Sequence, residues 1–315
     1  MSEEEFRQLQ NEIESQGHTW RAGPTTLSTL SPEEQALRLG LRLVPEEMER
    51  LVRLRAALGD IVASFPPAWD WRQVEGKNWT TPIRDQQACG SCVAFGTVAV
   101  LEAMLKLHDD APDSLPDLSE AHLFFCGCGA CCQEGWWPAY ALDYAQDQGV
   151  PDEVCFPYVD EDTPCDETCA DWLSRAIKVS AWQEIVDAGQ RKEWLATRGP
   201  MIGCMEVYQD FFSYTGGVYH HATGALAGYH AICVVGYSEA EMAWICKNSW
   251  GAGWGEGGWF RIGYGECGID QMFPMYGVED VVAPGPTPPP PPPPPPPEPG
   301  CLPLSRIVRA LRGGQ

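Results

Sequence analysis

The sequence predicts an α+β fold of two lobes, one helical and one built of strands, with a cleft between them. Three observations carry this. The stretch "CVAFGTVAVLEAMLKLH" (92–108) reads as a long apolar helix opening at Ser91–Cys92. The stretches "AICVVGY" (231–237), "MAWICKN" (242–248) and "WFRIGYG" (259–265) read as strands with glycine-rich turns between them. The helical half precedes the strand half, so the two kinds of element are segregated along the chain.

The elements follow in order. Residues 1–64 are charged and helical in pattern. "EEEFRQLQNEIES" spaces Phe6, Leu9 and Ile13 for one helix face, and "VPEEMERLVRLRAALG" does the same with Met48, Leu51, Leu54 and Leu58, with Gly59 as the stop. "SFPPAWDW" breaks helix and marks a boundary at residues 63–67. Residues 65–282 hold most of the tryptophan, glycine and cysteine and form the main domain. Residues 283–300 are a linker whose run Pro288–Pro297 predicts a polyproline II rod of roughly 30 Å. That rod is read as a spacer, with capture by a proline-reading module as the alternative. Residues 301–315 are a short basic tail with amphipathic character, carrying Arg306, Arg309 and Arg312.

Composition narrows the function. The 315 residues carry a net charge of −23, which disfavours nucleic acid or an anionic membrane as partner. No apolar run approaches the ~20 residues of a membrane span. Fourteen cysteines in clusters look like a disulfide framework for an oxidising, secreted or lysosome-like compartment. The N-terminal "MSEEEF" shows no signal-peptide pattern, so the compartment stays open.

"QQACGSCVAF" (86–95) places two cysteines three apart. A zinc clip would need a second ligand pair, which "CGCGACC" offers weakly. A redox pair would want a βαβ setting, which is missing. The third reading is a thiolate nucleophile, with His230 in "GYHAICVVGY" and Asn248 in "CKNSWGAGWGEGGW" downstream. Cys92 at a helix N-terminus is favoured as thiolate by the macrodipole and free N–H groups. His230 would pair with it and protonate the leaving amine. Asn248 would accept the second imidazole proton and hold the ring. The Gln86 amide and the Cys92 N–H would stabilise an oxyanion. His220 and His221 are rival histidines, but only His230 directly precedes the apolar strand.

"QACGSC", "YHAI" and "KNSWGAGWGEGGW", in that order, resemble the papain family of cysteine peptidases, nearest its cathepsin B-like members. "PPAWDWRQ", "LSEAHLFFC", "FPY" (156–158) and "CGID" (267–270) match as well. The resemblance implies a papain-like two-lobe fold with a helical left lobe and a β-barrel-like right lobe. "HTWRAGP" resembles the cathepsin B-like propeptide, so residues 1–64 are expected to be an autoinhibitory propeptide laid through the cleft. By the same analogy Cys89 pairs with Cys132, or with adjacent Cys131, and the other bridges are Cys126–Cys165, Cys155–Cys169 and Cys128–Cys131. Trp250 would shield the His–Asn pair. Gly135, with Trp136 beside it, would pair with substrate backbone, and Met272 would floor the main specificity pocket.

Three departures qualify the resemblance. Val93 stands where the family usually has Trp, and the family's Gly-Gly stretch reads "CQEGWW", with Glu134 before Gly135. The segment between Cys155 and Cys169 has no histidine, so the paired-His loop tied to exopeptidase activity is missing. The expectation is therefore a monomeric endopeptidase zymogen that acts on protein or peptide substrates without metal or organic cofactor and favours an apolar residue at P2. Val93 and the altered glycine motif keep a catalytically poor scaffold as one alternative. A peptide ligase on the same acyl-enzyme is the other.

Overall fold

The computed structural model describes residues 1–57 and 64–284. Helix α1 (Glu3–Ser15) starts where Ser2 and Glu5 cap each other's backbone N–H groups. It buries Leu9 and Ile13 and leaves Phe6 half-exposed. Strand β1 (Arg21–Ala22) follows, then α2 (Pro32–Ala36), opened by the same reciprocal cap between Ser31 and Glu34. Helix α3 (Pro45–Ala57) buries Leu51, while Leu54 reaches the surface. The predicted Leu58 and the stop at Gly59 lie outside the described residues, as do the polyproline run and the basic tail.

Strand β2 (Ala68–Asp70) leads to α4 (Cys92–His108), which begins where the sequence places it. All but three of its 17 residues are buried, as expected for a helix that is apolar on every side. "LSEAHLFFC" contains one π-helical turn, His122–Cys126. Helix α5 (Pro138–Asp147) and the single turn α6 (Trp172–Arg175) complete the helical lobe. Then come β3 (Lys178–Ile185), α7 (Ala188–Thr197), β4 (Met201–Tyr208), β5 (Tyr214–Gly216) and β6 (Val218–Tyr219). Strands β7 (Leu226–Ser238), β8 (Ala243–Lys247), β9 (Trp259–Gly263) and β10 (Met275–Val282) finish the domain.

The main sheet runs β3-β10-β4-β7-β8-β9-β6, and β2 pairs with the end of β7. The strand lobe expected to be barrel-like is this sheet, which stops short of a closed barrel: the terminal strands β3 and β6 are not paired with each other. β6 has two residues, too few for a ladder that would seal a barrel. Side chains alternate across the sheet as strand geometry demands. On β4, Ile202 and Cys204 join the core shared with α4, while Met201, Met205 and Val207 join a second core with Trp244, Trp254 and Phe260. The N-terminal segment contributes to both cores, Leu41 and Leu51 to the first and Leu9, Ile13, Trp20 and Leu27 to the second. Fully burying each such side chain favours the docked state by roughly 1.5–3 kcal/mol before ordering costs.

Candidate active site

Cys92 is the first residue of α4, and its side chain is fully buried. The backbone N–H of Ala231 on β7 points at its Sγ from 3.4 Å, so the neighbouring His230 is brought to the same point. Asn248 follows β8 directly, one step past the ladder pair Cys233–Lys247. Its Oδ1 accepts from His230 Nε2 at 2.8 Å and from the Ser249 N–H at 2.8 Å. Holding the proton on Nε2 leaves Nδ1 as the basic nitrogen, and Nδ1 has no other hydrogen-bond partner among the described residues. The Trp250 ring lies 4.7 Å from the imidazole and is itself buried.

Gln86 is fixed from several sides. Its backbone N–H donates to Ser249 O at 2.9 Å, and Ser249 Oγ donates to its Oε1 at 2.6 Å. Its Nε2 donates to Cys89 O at 2.9 Å, which leaves the second amide proton free. Tyr158 braces the same loop by donating to Gln86 O at 2.8 Å and bonding Ser91 Oγ at 2.7 Å. The disulfides Cys89–Cys132, Cys126–Cys165, Cys128–Cys131 and Cys155–Cys169 tie the surrounding loops.

The thiolate expected at Cys92 is not favoured in this state. Burial pushes the thiol up to about 11, only partly offset by N–H groups of Ala231, Gly40 and Val93. Burial also holds His230 down at about 4 against the Asn248 hydrogen bond. Both groups are neutral between these values, because a dry site disfavours either charge. The cover is the N-terminal segment. Gly40 O accepts from Trp136 N–H at 2.8 Å, Arg42 N–H donates to Trp136 O at 2.9 Å, and Leu41 N–H donates to Tyr229 O at 3.2 Å. A Cβ on Gly40 would lie 1.7 Å from Gly90 O, and one on Gly135 would lie 2.1 Å from Gly40 O. Three backbones therefore meet where only glycines fit.

Comparisons with known proteins agree with this geometry. The family model described as papain family cysteine protease matches residues 65–276. The chain belongs to the papain family of cysteine proteases. It is 31% identical over 277 residues to cathepsin B-like CP3 of Giardia intestinalis, covering 83% of this chain and 90% of that relative. It is 30% identical over 293 residues to pro-cathepsin H of Bos taurus, covering 85% of this chain and 83% of that protein. Among solved structures, proCathepsin B S9 from Trypanosoma congolense superposes with a TM-score of 0.70 at 23% identity, over 89% of this chain and 98% of that one. Digestive procathepsin L2 from Tenebrio molitor larval midgut gives 0.67 at 27% identity, over 87% and 89%. The protein is a cysteine-type peptidase in zymogen form.

Within this papain-family frame the predicted residues fall into two groups. Cys92, His230, Asn248, Gln86 and Trp250 surround one point. Gly135 and Trp136 line the cleft through their backbones, while the Trp136 ring packs inward on Phe124. Glu134 is exposed and pairs with Arg42 of the N-terminal segment at 3.1 Å. Met272 is half-buried against the core that also holds Leu41 and Phe273. The rivals His220 and His221 sit elsewhere, on Glu266 and Asp210. Val93 is fully buried.

Sequence reasoning missed Gly40, Ser249 and a buried polar chain behind the site. Lys247 Nζ donates to Thr81 Oγ1 at 2.8 Å, and Thr81 donates in turn to Glu102. Burial raises Glu102 and lowers Lys247, and their mutual attraction opposes both shifts. The sequence signal for this chain was one Glu inside the apolar helix and one Lys ending a fully buried strand.

Proposed function

We propose that Cys92 is the nucleophile of a peptide-bond hydrolase and that residues 1–64 are its autoinhibitory propeptide, with residues 65–282 the catalytic domain. The observation that carries this is the burial of the Cys92–His230–Asn248 group beneath Gly40 and Leu41. Once the propeptide leaves, the Cys92 sulfur attacks the scissile carbonyl, with its proton passing to His230. The oxyanion is met by the Cys92 N–H and the free Gln86 amide proton. His230 then gives the proton to the leaving amine, and a thioester on Cys92 remains. Water, deprotonated by His230, attacks the thioester and releases the acid and the free thiol. Asn248 holds the imidazole through both steps, and Trp250 keeps water from the hydrogen bond that does so.

Specificity is read from the cleft. Met272 packs against the cluster that holds Leu41, which supports an apolar residue at P2. The loop closed by Cys155–Cys169 has no histidine, which supports endopeptidase action.

Acid releases the propeptide in this reading. His18 of the propeptide stacks on His220 with ring centres 4.8 Å apart. The charged groups facing the pair are Glu266, 2.9 Å from His220 Nδ1, and Asp210, 3.2 Å from His221 Nδ1. His18 is held below its ordinary value by burial and by His220, against the pull of Glu266 and Asp210. The docked contact is thus strongest above the ordinary value of 6.5 and weakens as pH falls from there toward the lower docked value.

The test is hydrolysis of peptide amides by the processed protein, with release of the free amine measured beside Cys92→Ala and His230→Ala. Cleavage by wild type alone, with P2 Leu ahead of P2 Arg, supports the reading. Ligated product in place of free acid when a peptide amine is added would transfer the assignment to a ligase. No turnover by the processed wild type would leave a binding scaffold.

A further inference from the structure

We infer that Arg191 is a positioning residue for P2 selectivity, holding the loop that carries Met272 at a fixed depth beneath the cleft. This rests on the reading of Met272 as the pocket floor. Arg191 lies on α7 and is fully buried. Its guanidinium donates to three backbone carbonyls: Nε to Ile185 O at 2.9 Å, Nη1 to Asp270 O at 2.7 Å and Nη2 to Phe273 O at 2.9 Å. Among the described residues, no carboxylate bonds it directly. Ile185 ends β3, so one planar fork ties a strand of the main sheet to both ends of the segment 270–273. Met272 hangs between the two clamped carbonyls.

The clamped loop reaches the cleft by a short path. The Phe273 ring is buried and meets Tyr229 edge-on, with ring centres 6.2 Å apart. The Tyr229 carbonyl accepts from the backbone of Leu41 at 3.2 Å, at the position an extended ligand occupies. The other end of the loop is fixed separately. Asp270 accepts from Trp244 Nε1 at 2.9 Å and from Gly265 N–H at 2.9 Å. Without the guanidinium, three carbonyls would each lose a donor, and Met272 would be held only by the fixed Asp270 side chain and the backbone bonds to Gly268 O.

The propeptide uses the same handle. Arg55 of α3 donates to Phe273 O at 2.8 Å, so one carbonyl takes a guanidinium from each part of the chain. Docking of α3 and the depth of the pocket are therefore coupled in the zymogen, and after processing Arg191 holds the loop alone.

The experiment measures kcat and KM on peptide amides with Leu, Phe, Arg or Gly at P2, using full-length protein activated by its own processing. The variants are Arg191→Lys, Arg191→Met and Met272→Glu, each titrated with an epoxide inhibitor so that rates refer to competent enzyme. Arg191→Met should lose 10-fold or more in kcat/KM for P2 Leu, mainly through KM, and under threefold for P2 Gly. Arg191→Lys, which keeps the charge but not the fork, should fall between and covers the case in which the Met variant does not fold. Equal losses on P2 Leu and P2 Gly, or no loss, would overturn the clamp. Met272→Glu reports on the floor reading separately, because it should admit P2 Arg. If it leaves the P2 profile unchanged, the floor reading fails and takes the clamp's route to the pocket with it.

Discussion

Cys92 with its thiol near 11 beside His230 near 4 is a pair of neutral groups, because both lie under a dry cover. Readmitting water removes the desolvation cost and lets the helix terminus and the surrounding N–H groups favour the thiolate. Each pKa unit recovered is worth tenfold in thiolate fraction, so alkylation of Cys92 at pH 6 should rise by about 100-fold or more when the propeptide is removed. An equal rate in both forms would contradict the cover's role. Asn248→Ala should lower kcat by about 100-fold with little change in KM, since the imidazole loses its orienting acceptor. At His18 the sign is set by a lowered value in the docked state. His18→Phe keeps the stack but cannot charge, so the midpoint of processing should move to lower pH; an unchanged midpoint would exclude the histidine pair as the trigger. Behind the site, Lys247→Met strands the buried Glu102 and should cost about 3–5 kcal/mol in urea unfolding. The double variant Lys247→Met with Glu102→Gln should recover much of that loss.

The helix and strands that carry the site were legible at the scale of elements. A long apolar run gave α4 its start at Cys92, and the aromatic and β-branched runs placed β8 and β9 within a few residues but only the C-terminal half of β7, which starts at Leu226. The meeting of Cys92, His230 and Asn248 was legible too, because Cys92 opens α4, His230 immediately precedes the apolar run of β7, and Asn248 follows the end of β8. The glycine contact was not. Gly40 meets Gly90 and Gly135, which lie far along the chain; Gly135 was expected to face a substrate backbone, but nothing local marks Gly40 or Gly90 as its partners. Arg191 was hidden for a related reason: a charged residue in the first turns of a helix reads as surface unless its three carbonyl partners are known. A prediction belongs at this scale. Gly40→Ala places a methyl group against a backbone carbonyl, so the full-length zymogen should leak, with Cys92 alkylated at neutral pH faster than in wild type. A protection equal to wild type would show that the glycine contact does not set the fit of the propeptide.

Over the whole molecule, the N-terminal segment acts as a strap that adds side chains to both cores and closes the seam between them. Its ends are anchored differently. Near the start, Trp20 Nε1 donates to His220 O at 2.8 Å and Thr25 Oγ1 to Phe212 O at 2.6 Å. Further along, Arg50 reaches Glu184 on β3 at 2.5 Å, and Arg38 pairs with Asp85. Polar contacts of this kind set the register, while the buried Leu, Ile and Trp side chains supply most of the adhesion. A net charge of −23 adds self-repulsion that eases as carboxylates protonate in acid and so favours the compact domain, while charging of His18 works against the docked strap, so low pH should loosen the strap locally before it unfolds the domain. The measurement that reaches the central claim most directly is intact-mass analysis after a shift to about pH 5, with and without an epoxide thiol-peptidase inhibitor, run beside Cys92→Ala. Among the described residues five cysteines are free and all are buried, so the site of any adduct is informative. The account predicts loss of about the first 64 residues in wild type only, and one adduct, on Cys92, once that segment has gone. An unprocessed wild type that stays unlabelled after another protease has removed the segment, or an adduct on a different cysteine, would contradict it.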